Sequence, residues 1–152
     1  MHPFPHHYAV RATAAPQGDI PIEREGLPTL LTDAPVDFDG PGGRWSPEDL
    51  LVAAVADCFA LTFRGIARMS KLPWAGLSAS VTGTLERIER VTQFTHFEIQ
   101  ARVRIPEGAS GDQARRIAAK SEETCLITRS LKATVHLDVE IEIGGLVNLG
   151  KT

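Results

Sequence analysis

Two cysteines are the residues of this chain whose chemistry stands out. Cys58 ends the segment 46–58, SPEDLLVAAVADC, and Cys125 lies 67 residues later in the segment 122–131, EETCLITRSL. Apolar spacing places each cysteine on the inward face of a predicted helix. Two inward-facing thiols favour redox chemistry, with an intramolecular disulfide between Cys58 and Cys125 on mild oxidation. The alternative is that both are inert core residues, because free cysteine is among the most buried residue types.

Composition bounds the possible functions. The chain has 152 residues, a formal net charge of -3 and no basic block, which predicts no nucleic-acid or membrane partner. No apolar run is expected to reach membrane-spanning length, no secretory signal is recognisable, and a cytoplasmic location follows. We expect a single domain over residues 1–152, with residues 1–6 as a flexible tail.

The sequence predicts neither a cofactor nor a metal. It contains no glycine-rich phosphate loop and no nucleophile elbow. His2, His6 and His7 lie in the proline-rich terminal stretch, and the spacing of His96 and His136 matches no metal site.

A helix that begins after Ser46 must position Cys58. Ser46 is an N-cap candidate, Pro47 suits the first helical position, and Glu48 and Asp49 place negative charge in the first turn. Asp49 stands where a capping box has Glu or Gln. The helix is nearly all apolar over residues 50–63, and Pro73 should end it. A helix apolar on most sides predicts a partner subunit that covers it.

Strands and a second helix complete the predicted fold. The N-terminal region has predicted strands at 7–14 and 28–32, a loop or hairpin at 16–27 and a loop at 34–44. Later strands are predicted at 77–88, 94–105 and 134–143. A second helix begins at Ser110, with Gln113 in capping-box position. Its predicted apolar face is Ala114, Ile117, Ala118, Ser121 and Cys125. This order indicates an α+β architecture with antiparallel strand pairs.

Both cysteine segments resemble the motifs of the OsmC/Ohr family. The first has its Pro-Glu pair, its Ala-rich aliphatic stretch and its Cys-Phe, and the second resembles the family's second cysteine motif. The resemblance implies the OsmC-like fold, antiparallel sheets wrapped around two central helices in an intertwined homodimer. It also implies an antioxidant thiol peroxidase that reduces an organic hydroperoxide and is reset by a dithiol reductant. Cys58 would be the peroxidatic residue, Cys125 the resolving one, and Glu48 the acid that positions an arginine.

Two positions depart from the family pattern. Leu126 stands where proline often follows the second cysteine, and Gly18 or Asp19 falls where the family's loop arginine is expected. A thiol near its ordinary pKa of about 8.5 is mostly protonated at neutral pH, so a fast peroxidatic cysteine needs a nearby cation. Arg44 and Arg24 are the nearest candidates, as surface residues or as activators.

Glu48 cannot touch Cys58 directly, because ten residues of straight helix span about 15 Å.

Two functions stay open. One is the thiol peroxidase, and the other is a non-catalytic protein of the same fold that binds a small apolar ligand in the dimer cleft.

Overall fold

The structure, a computed structural model, describes residues 1–144. Contacts divide the chain into two compact units, residues 1–51 and a second unit that begins at Val52. The single domain over residues 1–152 stays a prediction.

The first unit contains a small antiparallel sheet. Its strands are β1 (Arg11–Ala12), β2 (Ile20–Glu23) and β3 (Leu30–Thr32), with β2 in the centre. The segment 16–27, predicted as a loop or hairpin, thus supplies the central strand, and the first strand is shorter than predicted. A short 3-10 helix, Val36–Phe38, lies in the predicted loop 34–44. Residues 1–10 are exposed and form neither helix nor strand, while the flexibility of residues 1–6 stays a prediction.

Helix α1 (Pro47–Met69) begins with the predicted reciprocal cap. The Asp49 amide donates to Ser46 Oγ, and the Ser46 amide donates to an Asp49 carboxylate oxygen, both at 3.1 Å. Aspartate therefore completes the capping box here. The helix ends four residues before Pro73, and Lys71 follows it in the left-handed region at a φ of 53°.

The side chains of α1 bury only one stripe of the helix. Val55, Phe59, Phe63 and Ala67 recur every four residues and are fully buried. By length and composition α1 could also cross a membrane, with a mean hydropathy of 1.8 over 18 residues, of which 22% are buried. The expectation that no run reaches that length was therefore wrong. The core helix of a soluble protein passes the same test.

The second unit is built on a three-stranded mixed sheet. Strands β4 (Gly76–Ile88) and β5 (Val91–Ile105) form an antiparallel hairpin, and β6 (Thr134–Ile143) pairs with β5 in parallel. The antiparallel pairing of β4 with β5 is as predicted, whereas the parallel pairing of β6 departs from the expected antiparallel sheets. The cause is the connection after β5, which contains helix α2 (Gly111–Thr124) and returns the chain to the end of the sheet where β5 begins.

One face of this sheet forms the core of the unit. Phe97, Ile99, Val103 and Ile105 alternate along β5 and are fully buried. Gly83 of β4 allows α1 to approach closely, because an added Cβ would lie 2.9 Å from Val52 Cγ2.

Helix α2 (Gly111–Thr124) packs against β5 and β6. Ser110 caps it as predicted, since its Oγ accepts the Gln113 amide at 3.1 Å. A four-residue helix α3 (Leu126–Arg129) follows. The prediction that Cys125 continues the apolar face of α2 was wrong, because the helix ends at Thr124 and Cys125 forms the junction to α3.

Candidate thiol site

Cys58 lies in the middle of the continuous helix α1, directly before the fully buried Phe59. Its side chain is half-buried. One turn further on, Thr62 places its hydroxyl oxygen 4.0 Å from the Cys58 sulfur. The regular helix therefore fixes both the direction of this thiol and its hydroxyl neighbour.

Cys125 lies at a break in the backbone. It is fully buried, with φ and ψ of -60° and 112°, which is extended rather than helical. Its carbonyl oxygen accepts hydrogen bonds from the Arg129 amide at 3.1 Å and from the Thr128 hydroxyl at 3.2 Å. These bonds begin α3 immediately after the cysteine, so the amides of the first turn of α3 have no helical acceptor of their own.

The two thiols are neighbours, and both are reduced. The Cys58 thiol interacts with the Cys125 thiol and with the backbone N–H of Ile127. Burial raises the pKa of Cys58, and the Cys125 thiol raises it further. The Ile127 amide and the Thr62 hydroxyl oppose this shift of the pKa, because both can donate to a thiolate.

The balance of these groups favours the protonated thiol of Cys58. None of the groups that shift its pKa is a cation. The site is therefore a dithiol with two hydrogen-bond donors beside the more exposed sulfur. Such an arrangement can be oxidised to a disulfide, although the thiolate is scarce at neutral pH.

The other three predicted site residues lie in the first unit. Glu48 is in the first turn of α1, and its Oε2 atom is buried with no hydrogen-bond partner among residues 1–144. Arg44 forms an ion pair with Asp19, with 2.9 Å between Nη2 and Oδ2, and Asp19 raises the pKa of Arg44. Arg24 is exposed in a turn, where its carbonyl oxygen accepts the Leu27 amide at 3.1 Å.

Sequence reasoning missed two groups beside the thiol. Thr62 was given no functional role, although its i+4 spacing from Cys58 is a usable signal. The Ile127 amide had no signal in the sequence, because it is available only through the backbone break at Cys125. Within residues 1–144 there is no cluster of three or more His, Cys, Asp or Glu side chains suited to a metal ion.

Known proteins share this fold and this sequence pattern. A family model described as OsmC-like protein matches residues 40–140, and the chain belongs to this family. The uncharacterized protein YmaD of Bacillus subtilis is 25% identical over 146 residues, which cover 92% of this chain and 97% of YmaD. The predicted family is thereby confirmed.

Solved structures show the same fold. An OsmC-like protein of unknown function from Vibrio cholerae has a TM-score of 0.78 at 18% identity, covering 89% of this chain and 99% of its own. An organic hydroperoxide resistance protein OsmC from Legionella pneumophila has a TM-score of 0.70 at 22% identity, with 90% and 98% covered. The chain thus has the OsmC-like fold of mixed α and β content.

Proposed function

We propose that this protein is a thiol peroxidase that reduces organic hydroperoxides through Cys58 and Cys125. One observation carries the proposal: the fold brings two reduced thiols from distant parts of the sequence close enough to interact. Structural cysteines need no such pairing, whereas a peroxidatic and a resolving thiol do. The name of the Legionella relative agrees with this activity.

The proposed catalytic cycle has three steps: oxidation of Cys58, disulfide formation and reduction. The Cys58 thiolate attacks the distal oxygen of ROOH, the O–O bond breaks, and the departing alkoxide takes a proton to leave ROH and a Cys58 sulfenic acid. The Cys125 sulfur then attacks the Cys58 sulfur, which forms the disulfide and releases water. A dithiol reductant returns both cysteines to thiols and becomes a disulfide itself.

The neighbours of Cys58 have opposite effects on the first step. The Ile127 amide and the Thr62 hydroxyl stabilise the thiolate, whereas burial and the Cys125 thiol disfavour it. In the proposed mechanism a cation supplies the missing stabilisation, with Glu48 as the acid that positions Arg44 or Arg24. Arg44 would first have to leave Asp19.

A homodimer is part of the proposal. The 18-residue apolar window of α1 is only 22% buried, and Leu61 on this helix is 48% exposed. A second copy that covers these side chains would bury more than about 2,000 Å² in total, as obligate dimers do. Light scattering at low micromolar concentration should give twice the chain mass of 16.5 kDa, and a stable monomer would remove this model.

A second function is favoured by the raised pKa of Cys58. A thiol held protonated without a cation suits a non-catalytic protein of this fold, which would bind a small apolar ligand in the dimer cleft.

Consumption of hydroperoxide separates the two functions. The reduced protein is mixed with dithiothreitol and either tert-butyl hydroperoxide, cumene hydroperoxide or hydrogen peroxide. The peroxidase predicts catalytic loss of the organic hydroperoxides. It also predicts the loss of two hydrogens within one chain, seen by non-reducing mass spectrometry after one equivalent of oxidant. Absence of turnover together with two free thiols after oxidation would favour the binding protein.

A further inference from the structure

The face of the large sheet opposite the core carries two arginines that differ in their ion pairing. Arg102 and Arg104 are two residues apart on β5, so both side chains project from this outer face. Arg102 has two acidic partners on β6: its Nη2 lies 3.3 Å from Glu140 Oε2, and its Nε lies 3.2 Å from Glu142 Oε1. The charge of Arg102 is therefore fully compensated.

Arg104 has no such compensation. Glu142 is its register partner across the β5–β6 pair, yet the Glu142 carboxylate binds Arg102 instead. Among the described residues Arg104 forms no ion pair, and its Nε atom is buried without a hydrogen-bond acceptor. A guanidinium group can only donate, so this buried N–H requires an acceptor from elsewhere.

Gly76 of β4 leaves room for the guanidinium group of Arg104. Gly76 pairs with Arg104 in the antiparallel register. A Cβ atom added to Gly76 would lie 2.5 Å from Arg104 Nη2. The guanidinium group therefore lies against the backbone of β4, in space that only glycine leaves open.

A cleft of about 450 Å³ lies over this guanidinium group. The volume falls within the range of small-molecule sites in proteins. Ser78 contributes a hydroxyl group to the wall, and Ala75, Arg102 and Glu142 also line the cleft. The cleft thus combines the guanidinium group of Arg104, a neutral hydroxyl group and the Arg102–Glu142 ion pair.

We propose that this cleft binds the carboxylate group of a small organic acid, with Arg104 as the anchoring residue. The carboxylate supplies the acceptor that the Arg104 Nε lacks, and its planar shape matches the guanidinium fork. A singly charged acid fits better than a phosphate dianion, because Glu142 lies in the same wall and repels negative charge. This site lies on the opposite face of the sheet from the core and does not depend on the thiol chemistry proposed above.

Acetate is the probe for the test. The full chain is labelled with nitrogen-15, and the Nε–Hε resonance of Arg104 is assigned by its loss in Arg104→Lys. Sodium acetate should shift this resonance to a plateau, while sodium chloride at the same ionic strength should not. Arg87→Lys on the same hairpin is the matched control and should leave the titration unchanged.

Gly76→Ala tests the space beside Gly76 without removing the charge of Arg104. The added methyl group displaces the guanidinium group, so acetate should bind at least about tenfold more weakly. The proposal is overturned if acetate and chloride shift the Arg104 resonance equally, or not at all. It is also overturned if Gly76→Ala, shown to be folded by its amide spectrum, binds acetate as well as the wild type.

Discussion

Cys58 and Cys125 meet in one site but lie in differently built regions. Cys58 belongs to 23 residues of continuous helix, and the cap, the buried stripe and the hydroxyl of Thr62 all follow from helical spacing. Cys125 lies where the helix stops, in extended backbone between two helices. The regular helix holds the Cys58 thiol half-buried. The junction buries the Cys125 thiol and places the Ile127 amide beside Cys58.

This contrast suggests a division of labour in the proposed peroxidase. The half-buried Cys58 is the thiol that a hydroperoxide can reach, and the fully buried Cys125 is protected until its partner is oxidised. Replacing each cysteine in turn tests this assignment and should change hydroperoxide turnover more than any other substitution.

We expect Cys58→Ser to abolish hydroperoxide turnover, because the remaining thiol, Cys125, is fully buried and a hydroperoxide cannot reach it. Cys125→Ser should instead allow one oxidation and leave a sulfenic acid on Cys58, which a dimedone-type probe can trap. Turnover is followed with cumene hydroperoxide and dithiothreitol, and the trapped adduct by mass spectrometry. Full turnover by Cys58→Ser would make the assignment wrong.

The residue that follows each cysteine extends the comparison to stability. Phe59 is fully buried in the stripe of α1, whereas Leu126 is 68% exposed at the start of α3. Phe59→Ala should lower the free energy of unfolding by about 3–5 kcal/mol, as large cavities in a core do. Leu126→Ala should change it by less than about 0.5 kcal/mol. Urea unfolding measures both, and equal losses would show that the two regions are equally packed.

The same contrast explains what sequence reasoning could reach. The cap of α1, its apolar spacing and the strand β6 with its bounds 134–143 follow from local patterns. The parallel pairing of β6 does not, because alternation along a strand is the same for either direction of its neighbour. The break at Cys125 was missed because the apolar spacing of α2 continues through it, and no glycine or proline marks the end of the helix.

The pH dependence of alkylation tests whether an arginine lowers the pKa of Cys58. Because the pKa of Cys58 is raised, its reaction with iodoacetamide should accelerate only at a pH above that of an ordinary thiol. The measurement uses Cys125→Ser, in which burial still raises the pKa of Cys58, with Arg24→Ala and Arg44→Ala added singly. If neither arginine acts on the thiol, all three profiles coincide. A profile below the ordinary thiol range, moved upward by one substitution, would identify that arginine as the activating cation.

The raised pKa of Cys58 also has a consequence for stability. The folded protein keeps the proton of Cys58 at a pH where the unfolded chain releases it. This contribution to the free energy of unfolding is complete below the ordinary thiol pKa and is lost as the pH rises through the folded-state pKa. Urea unfolding from pH 7 to pH 10 should therefore show a decline that is smaller in Cys58→Ser, and identical declines would contradict the raised pKa.

A substitution of Thr62 tests the hydroxyl group that the regular helix places beside Cys58. Thr62→Val keeps the shape of the side chain but removes the group that lowers the pKa of Cys58. The pKa should rise, and the alkylation rate at neutral pH should fall by about twofold, since a sulfur-oxygen distance of 4.0 Å marks a weak hydrogen bond. Thr62→Ser restores a hydroxyl and should recover the wild-type rate. If valine and serine gave the same rate, the thiolate would depend on the Ile127 amide alone, and the junction at Cys125 would be the only source of its stabilisation.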